Sequence, residues 1–128
     1  MSAWGNLPWE NDSAADWFGD TFDATKLADH VEAALRLDPD ESHEEIRAAA
    51  AVLLFLGHTF VWPVNQLDAH LTLAADQLDE ILRRNILEEY PDLTASIRAE
   101  SQELRSRINK ADAPSPPPKP PEQQWWQL

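Results

Sequence analysis

Residues 42–59, SHEEIRAAAAVLLFLGHT, carry the strongest structural signal in the chain. Ser42 and Glu45 form a capping box, in which the hydroxyl accepts from the backbone amide three residues on and the carboxylate returns to the capping residue. The residues that follow are apolar on nearly every face, which is typical of a helix at the centre of a bundle. We therefore predict a central helix from Ser42 to about Thr59. Its predicted core side chains are Ile46, Ala50, Leu53, Leu54 and Leu56.

On the N-terminal side of this segment, two further helices are predicted. The first is short, is capped by Asp12 or Ser13, and is ended by Gly19. The second runs from Asp23 to about Leu37, where an Asp-Pro pair breaks it. Its apolar side chains recur every three or four residues, so one face of the helix can turn toward the core.

On the C-terminal side, the same helical period continues through two more segments. A fourth helix is predicted to begin near Asn65 and to carry one continuous apolar stripe, made of Leu67, Leu71, Ala74, Leu78, Ile81 and Leu82. Pro91 suits the first turn of a fifth helix. The inward residues predicted for that helix are Leu93, Ile97, Leu104 and Ile108.

These patterns predict an all-α fold, a compact bundle of about five helices with an irregular Trp-rich N-terminal segment packed on it. We assign residues 1–110 to one acidic helical domain, because a chain of this size builds a single core. Residues 111–128 form a proline-rich tail that ends in Trp-Trp, and such a run favours extended geometry over helix.

Composition argues against several classes of protein. The chain has no cysteine, so disulfide scaffolds and thiolate metal sites are excluded and a cytoplasmic location fits best. The start is acidic and lacks the apolar region of a signal peptide. The longest apolar run covers about ten residues, whereas a membrane-spanning helix needs about 20. We expect no membrane association.

The net charge of −13 is concentrated in the first two thirds of the chain. Residues 1–82 hold sixteen Asp or Glu against three Lys or Arg, whereas residues 83–128 hold seven of each sign. Such a field repels nucleic-acid phosphates and favours a basic protein partner, although surplus carboxylate also serves solubility alone. The carboxylates predicted to face this partner are Asp38, Asp40, Glu41 and Glu44.

The tail provides a second candidate contact. Trp125, Trp126 and Leu128 lie at the tip of a stiff proline-rich spacer. Tryptophan is enriched at interface hot spots, so these residues are predicted to bind a partner. The alternative is that both indoles fold back on the chain's own bundle or on a second copy.

No arrangement of residues indicates catalysis. The chain lacks the glycine-flanked serine of a nucleophile elbow and the glycine-rich loop that holds phosphates. The four histidines lack the spacing of a helical zinc site, and hydrogen-bonded structural roles are expected for them. We predict no catalytic residue, no metal ligand and no cofactor. One enzymatic alternative is a metal-dependent hydrolase that uses Asp12, Asp16, Asp20 and a histidine.

The N-terminal segment combines rigid aromatic residues, turn-forming residues and carboxylates. Its motif residues are Trp4, Gly5, Trp9, Asn11, Asp12, Asp16 and Trp17. We predict that the three indoles clamp the bundle and that the polar residues act as caps and hydrogen-bond partners. The motif resembles the opening of a bacterial family, domain of unknown function 4259. The resemblance implies a bacterial cytoplasmic protein and assigns no activity.

From these observations we predict a non-enzymatic protein-binding module, in the form of an inhibitor or immunity-type protein that acts on a basic partner. A structural or regulatory subunit that self-associates is the alternative. The oligomeric state is not specified by the sequence.

Overall fold

The computed structural model describes residues 5–108. Within this range the chain forms five helices and no strand, which confirms the predicted all-α bundle. The helices are α1 (Asp12–Thr25), α2 (Leu27–Leu35), α3 (Pro39–Leu56), α4 (Val64–Arg83) and α5 (Pro91–Ser106). In this part of the chain, no helix is both long enough and apolar enough to pass through a membrane.

Helices α2 to α5 pack side by side around one apolar core. Helix α4 lies between α3 and α5, and α2 covers the other side of α3. The stripe predicted for α4 is buried at five of its six positions, and Leu82 is half-buried. Short connections between neighbouring helices place loop 57–63, which joins α3 to α4, at one end of the bundle. The connections that precede α3 and follow α4 lie at the other end.

Helix α1 begins and ends at residues other than those predicted. Asn11 is the capping residue, and its side chain accepts from the amide of Ala14 at 2.8 Å. The predicted stop at Gly19 is wrong, because the helix continues to Thr25. A glycine inside a helix costs only about 1 kcal/mol, and burial of Phe22 one turn later outweighs that cost.

The other helix boundaries also differ from the predictions. Helix α2 starts after Lys26, which adopts a left-handed backbone at φ 56°, and not at Asp23. Helix α3 starts at Pro39 and is kinked at Ser42, whose φ of −134° is not helical. The predicted start at Ser42 therefore coincides with the junction between a short first turn and the main part of α3. Helix α4 starts at Val64, directly after a proline. No side-chain hydrogen bond from the preceding residue caps α2, α3 or α4, and a left-handed residue or a proline lies at each start.

The predicted faces of two helices need correction. Helix α3 does not bury its apolar residues on every face, because Phe55 is 53 % exposed and Leu56 is only half-buried. Leu93 on α5 is exposed, and Ser101 occupies a buried position on the same helix. The hydroxyl of Ser101 donates to Asp79 on α4 at 2.6 Å, so a polar contact joins these two helices where an apolar stripe was expected.

The tryptophan clamp is only partly correct. Trp9 is buried and stacks on His58, with ring centroids 5.0 Å apart. Trp17 is 62 % exposed, so it does not cover the bundle. Trp17 and the buried Phe22 are five positions apart in the chain, which places their side chains about 140° apart around α1. Trp4 lies outside the described residues.

Candidate functional site

A groove runs between α1 and loop 57–63 at one end of the bundle. It has a volume of about 330 Å³. Its α1 wall is made of Ala15, Asp16, Gly19 and Asp23. The opposite wall is made of residues 59–64. A second depression of about 240 Å³ continues from Asp23 past Lys26 to Asn65 and Gln66. The two share Asp23 and Pro63, so they form one continuous surface.

Loop 57–63 presents an aromatic side chain toward solvent at this groove. Phe60 has a φ of 74° and is 55 % exposed. A left-handed backbone at a bulky aromatic residue is a genuine outlier that costs of order 1–3 kcal/mol, and such outliers cluster at functional sites. Val64 follows at the start of α4 and is 62 % exposed. Phe60 of the loop and Val64 of α4 therefore place two apolar side chains on the groove wall.

Hydrogen bonds hold the loop beneath the exposed residues. The backbone carbonyl of His58 accepts from the amides of Val61 at 3.1 Å and of Trp62 at 3.0 Å. At the end of α3, the amide of Gly57 donates to the carbonyl of Leu53 at 2.7 Å. These bonds fix a compact turn, so the conformation of Phe60 is built into the fold.

A buried indole forms the floor of the groove. Trp62 is 1 % exposed, and its Nε1 donates to Nδ1 of His70 at 3.0 Å. Because an indole nitrogen can only donate, Nδ1 of His70 accepts and its other nitrogen carries the proton. That nitrogen lies 2.7 Å from Oε1 of Glu32 on α2. The contact lowers the pKa of Glu32, and a second hydrogen bond from Arg36 acts in the same direction.

Phe22 connects α1 to this floor. Its ring meets the ring of Trp62 edge to face, with centroids 5.0 Å apart. Phe22 is the buried residue of α1, and Phe18 packs against the core at half burial. The α1 wall of the groove is thus attached chiefly through one aromatic contact.

The carboxylates of α1 carry uncompensated charge at the groove. Asp16 and Asp23, which line the groove, are exposed like the neighbouring Asp20, and no salt bridge reaches these three from residues 5–108. Elsewhere on the surface, many carboxylates are paired with arginine, as Glu100 is with Arg47 at 2.7 Å. The negative field beside Phe60 is therefore not neutralised within the described part of the chain, and it is available to a positively charged molecule.

The predicted acidic face lies at the other end of α3. The carboxylates of Asp38 and Asp40 each lie 3.1 Å from Nη1 of Arg84, while Glu41 and Glu44 are exposed. Helix α3 is about 27 Å long, so these residues are remote from the groove. Their role in partner binding stays a prediction. Trp125, Trp126 and Leu128 lie outside the described residues.

Salt bridges at the end of the bundle remote from the groove should make the free energy of unfolding depend on pH. Hydrogen bonds from Arg83 and Arg84 lower the pKa of Glu80 to about 2. Because the pKa of this carboxyl is lower in the folded chain than in the unfolded chain, its ionised form stabilises the fold. The stabilisation is complete at pH values above the pKa of the unfolded chain, and it is lost as the pH falls toward 2. We expect the difference in unfolding free energy between wild type and Glu80→Gln to shrink as pH falls from about 5 to about 2.

Urea unfolding at a series of pH values measures that difference. Glu88→Gln is the matched control, because it removes the same charge from an exposed side chain outside the salt bridges of the described residues. A Glu80→Gln difference that stays constant over this range, or one that grows toward low pH, would contradict the assignment.

The sequence patterns do not predict this groove, because they indicate a capping or hydrogen-bonding role for Asp16 and a helix start at Asp23, and place the acidic partner face at Asp38 to Glu44. The sequence predicts a third helix that continues to about Thr59 and a break only at Trp62-Pro63, whereas α3 ends at Leu56. A left-handed phenylalanine leaves no pattern in the sequence, so the apolar wall of the groove is not predicted. A hydrogen-bonded structural role for His70 was expected and is observed, but its partners are Trp62 and Glu32. Glu32 lies 38 positions earlier in the chain, which no local spacing could indicate.

The described residues do not assemble a metal site. No group of three or more histidine, aspartate or glutamate side chains in residues 5–108 is placed to hold a metal ion. Asp12, Asp16 and Asp20 follow one edge of α1 at one-turn intervals and do not converge on a point. Within that range, the geometry supplies no ligand cluster of the kind that the hydrolase alternative requires.

Comparison with known proteins identifies a family and gives no activity. The family model described as "Domain of unknown function (DUF4259)" matches residues 2–111, which is most of the chain. No curated protein and no solved structure matches the chain.

Proposed function

This chain belongs to the DUF4259 family, a domain of unknown function, and we propose that it is a non-enzymatic protein-binding module that receives a basic segment of its partner in the α1 groove. The observation that carries the proposal is the exposed Phe60, held at positive φ beside the carboxylates of Asp16 and Asp23. In its more specific form, the module is an inhibitor or immunity-type protein that blocks a basic effector.

The chemistry of the groove supports a ligand with two properties. Phe60 and Val64 offer apolar surface, which gains free energy when a partner removes it from water, at about 25 cal/mol per Å². Asp16 and Asp23 offer negative charge on the opposite wall. A protein segment that combines an apolar side chain with neighbouring Lys or Arg satisfies both walls.

The backbone strain at Phe60 also favours an interaction role. A fold selected only for stability would place glycine or asparagine at this φ, since both tolerate it better than phenylalanine does. The chain instead retains a large ring that is more than half exposed. The free-energy cost of the left-handed backbone at Phe60 is explained if the partner covers the ring when it binds.

Neutralising the groove carboxylates is expected to weaken binding about tenfold. An exposed ion pair contributes up to about 1 kcal/mol, so two lost pairs approach the 1.4 kcal/mol that corresponds to a factor of ten. The variant Asp16→Asn/Asp23→Asn tests this expectation. Both side chains are exposed, so the fold should be retained.

The experiment uses the immobilised full chain and a lysate of the native host at about 50 mM and about 500 mM salt. The matched control is Glu88→Gln/Asp92→Asn, which removes the same charge from exposed residues beyond α4. A basic protein retained at low salt by wild type and by the control, and weakly by the groove variant, supports the proposal. Equal recovery on all three proteins, or recovery that is insensitive to salt, overturns it.

A further inference from the structure

We propose that the segment bound in the groove is a basic amphipathic helix that packs alongside α1. The inference rests on the function proposed above and specifies the conformation of the partner. Three independent features of the groove favour a helix over an extended peptide.

The first feature is the small side chains on the α1 wall. Ala15 and Gly19 are one helical turn apart and both line the groove. A Cβ atom built on Gly19 would have no atom within 4 Å, so the surface of α1 is uncovered at this position. Two helices approach to about 8–10 Å, and the side chains at the contact set the distance. Small residues here allow a second helix to come close.

The second feature is the spacing of the carboxylates. Asp16 and Asp23 both line the groove and are seven positions apart, so they are about 10.5 Å apart along α1, which is two helical turns. Lys or Arg at positions i and i+7 of a neighbouring helix has the same spacing. In an extended strand, side chains on one face are about 7 or about 13 Å apart, so neither spacing matches the two carboxylates.

The third feature is the absence of a strand to extend. Extended peptides commonly bind by adding to the edge of a β-sheet, which satisfies their backbone groups. Residues 5–108 contain only helices and their connections, and so provide no such edge. A helix satisfies its own backbone and needs no such edge.

The apolar face of such a helix would rest on the opposite wall. Phe60 and Val64 lie four residues apart in sequence and both expose more than half of their surface. An apolar stripe at i, i+3, i+4 and i+7 contacts them, while Lys and Arg on its flank reach Asp16 and Asp23. This arrangement matches the helix-in-groove mode of peptide recognition.

Two synthetic peptides of identical composition test the inference against the full chain. One peptide has about 18 residues and forms an amphipathic helix about five turns long, with leucine at helical spacing and lysine on both flanks. The other has the same residues scrambled so that no apolar face forms. Fluorescence anisotropy of labelled peptides at low salt gives both affinities. We expect the helical peptide to bind at least about tenfold more tightly than the scrambled one.

A steric variant makes the test specific to the groove. Gly19→Leu introduces a side chain between the two helices while it raises the helix propensity of α1, so the variant should fold at least as well as wild type. We expect it to lose at least about tenfold in affinity for the helical peptide. Ala24→Leu is the matched control, because Ala24 is exposed and lies on the side of α1 away from the groove.

Equal binding of the two peptides, no binding of the helical peptide, or equal affinities of Gly19→Leu and Ala24→Leu would overturn the inference. These outcomes are distinct from failure of the proposed function. If both peptides bind equally and Asp16→Asn/Asp23→Asn weakens both, the groove binds basic segments without requiring a helix. In that case the proposed function stands and the helical partner is wrong.

Discussion

Replacing Trp62 by alanine is expected to lower the free energy of unfolding by about 5 kcal/mol. Truncation of a buried aromatic residue to alanine costs about 3–5 kcal/mol through lost burial and the cavity left behind. The change also leaves Nδ1 of His70 without its donor, which adds about 1–3 kcal/mol. Small domains are stable by only about 5–15 kcal/mol, so this variant will be close to unfolding at room temperature.

Urea unfolding followed by circular dichroism measures the loss. Trp62→Phe keeps an aromatic ring at the position that contacts Phe22 but removes the N–H donor and part of the ring volume, so a loss of at least about 1–3 kcal/mol is expected. This variant remains measurable if the alanine variant does not fold. Trp17→Ala is the control, because Trp17 is 62 % exposed and should cost less than about 1 kcal/mol. Similar losses at both tryptophans would contradict the structural role of Trp62.

Replacing Phe22 by alanine is expected to release α1 from the bundle. The ring of Phe22 is the buried anchor of this helix, and its loss should cost about 3 kcal/mol. Because α1 makes few contacts with the other helices, whereas α2 to α5 pack extensively on one another, the effect should be largest at α1. The groove would lose its acidic wall, so binding of a basic segment should fall together with α1 docking.

Native-state hydrogen exchange separates local release from global unfolding. We expect amides of residues 12–25 to lose protection in Phe22→Ala, while those of α3 to α5 retain more of theirs. Phe55→Ala removes the same side chain from a position that is 53 % exposed, and a smaller loss is expected there. Unchanged protection of α1 in Phe22→Ala would show that another contact holds the helix.

Local sequence patterns predicted the helices well because a helical period is a local property. The apolar stripe of α4 is visible within twenty residues, and most of it is buried. Helix ends were harder to predict, because an end depends on the balance between a local cost and a distant contact. Gly19 predicts a helix end, but the burial of Phe22 against Trp62 stabilises the helix onward to Thr25.

The groove could not be predicted from the sequence. Asp16 and the Trp-rich motif marked the N-terminal segment, but no sequence pattern showed that it meets a loop more than 40 residues away. Phe60 is exposed and left-handed in a loop that local hydrogen bonds close, and the sequence carries no pattern for that conformation. Similarly, Arg84 pairs with Asp38 and Asp40, so part of the acidic face predicted from charge counts is already neutralised by this chain.

The most direct test of groove binding is an amide chemical-shift map of the ¹⁵N-labelled chain, titrated at low salt with the helical and the scrambled basic peptides. Such a map locates the contact without assuming the conformation of the peptide. We expect the largest shifts at residues 15–23 and 59–66 with any peptide that binds, and their loss in Asp16→Asn/Asp23→Asn. Shifts spread evenly over all exposed carboxylates, or centred on Asp38 to Glu44, would contradict the assignment of the binding site to the α1 groove.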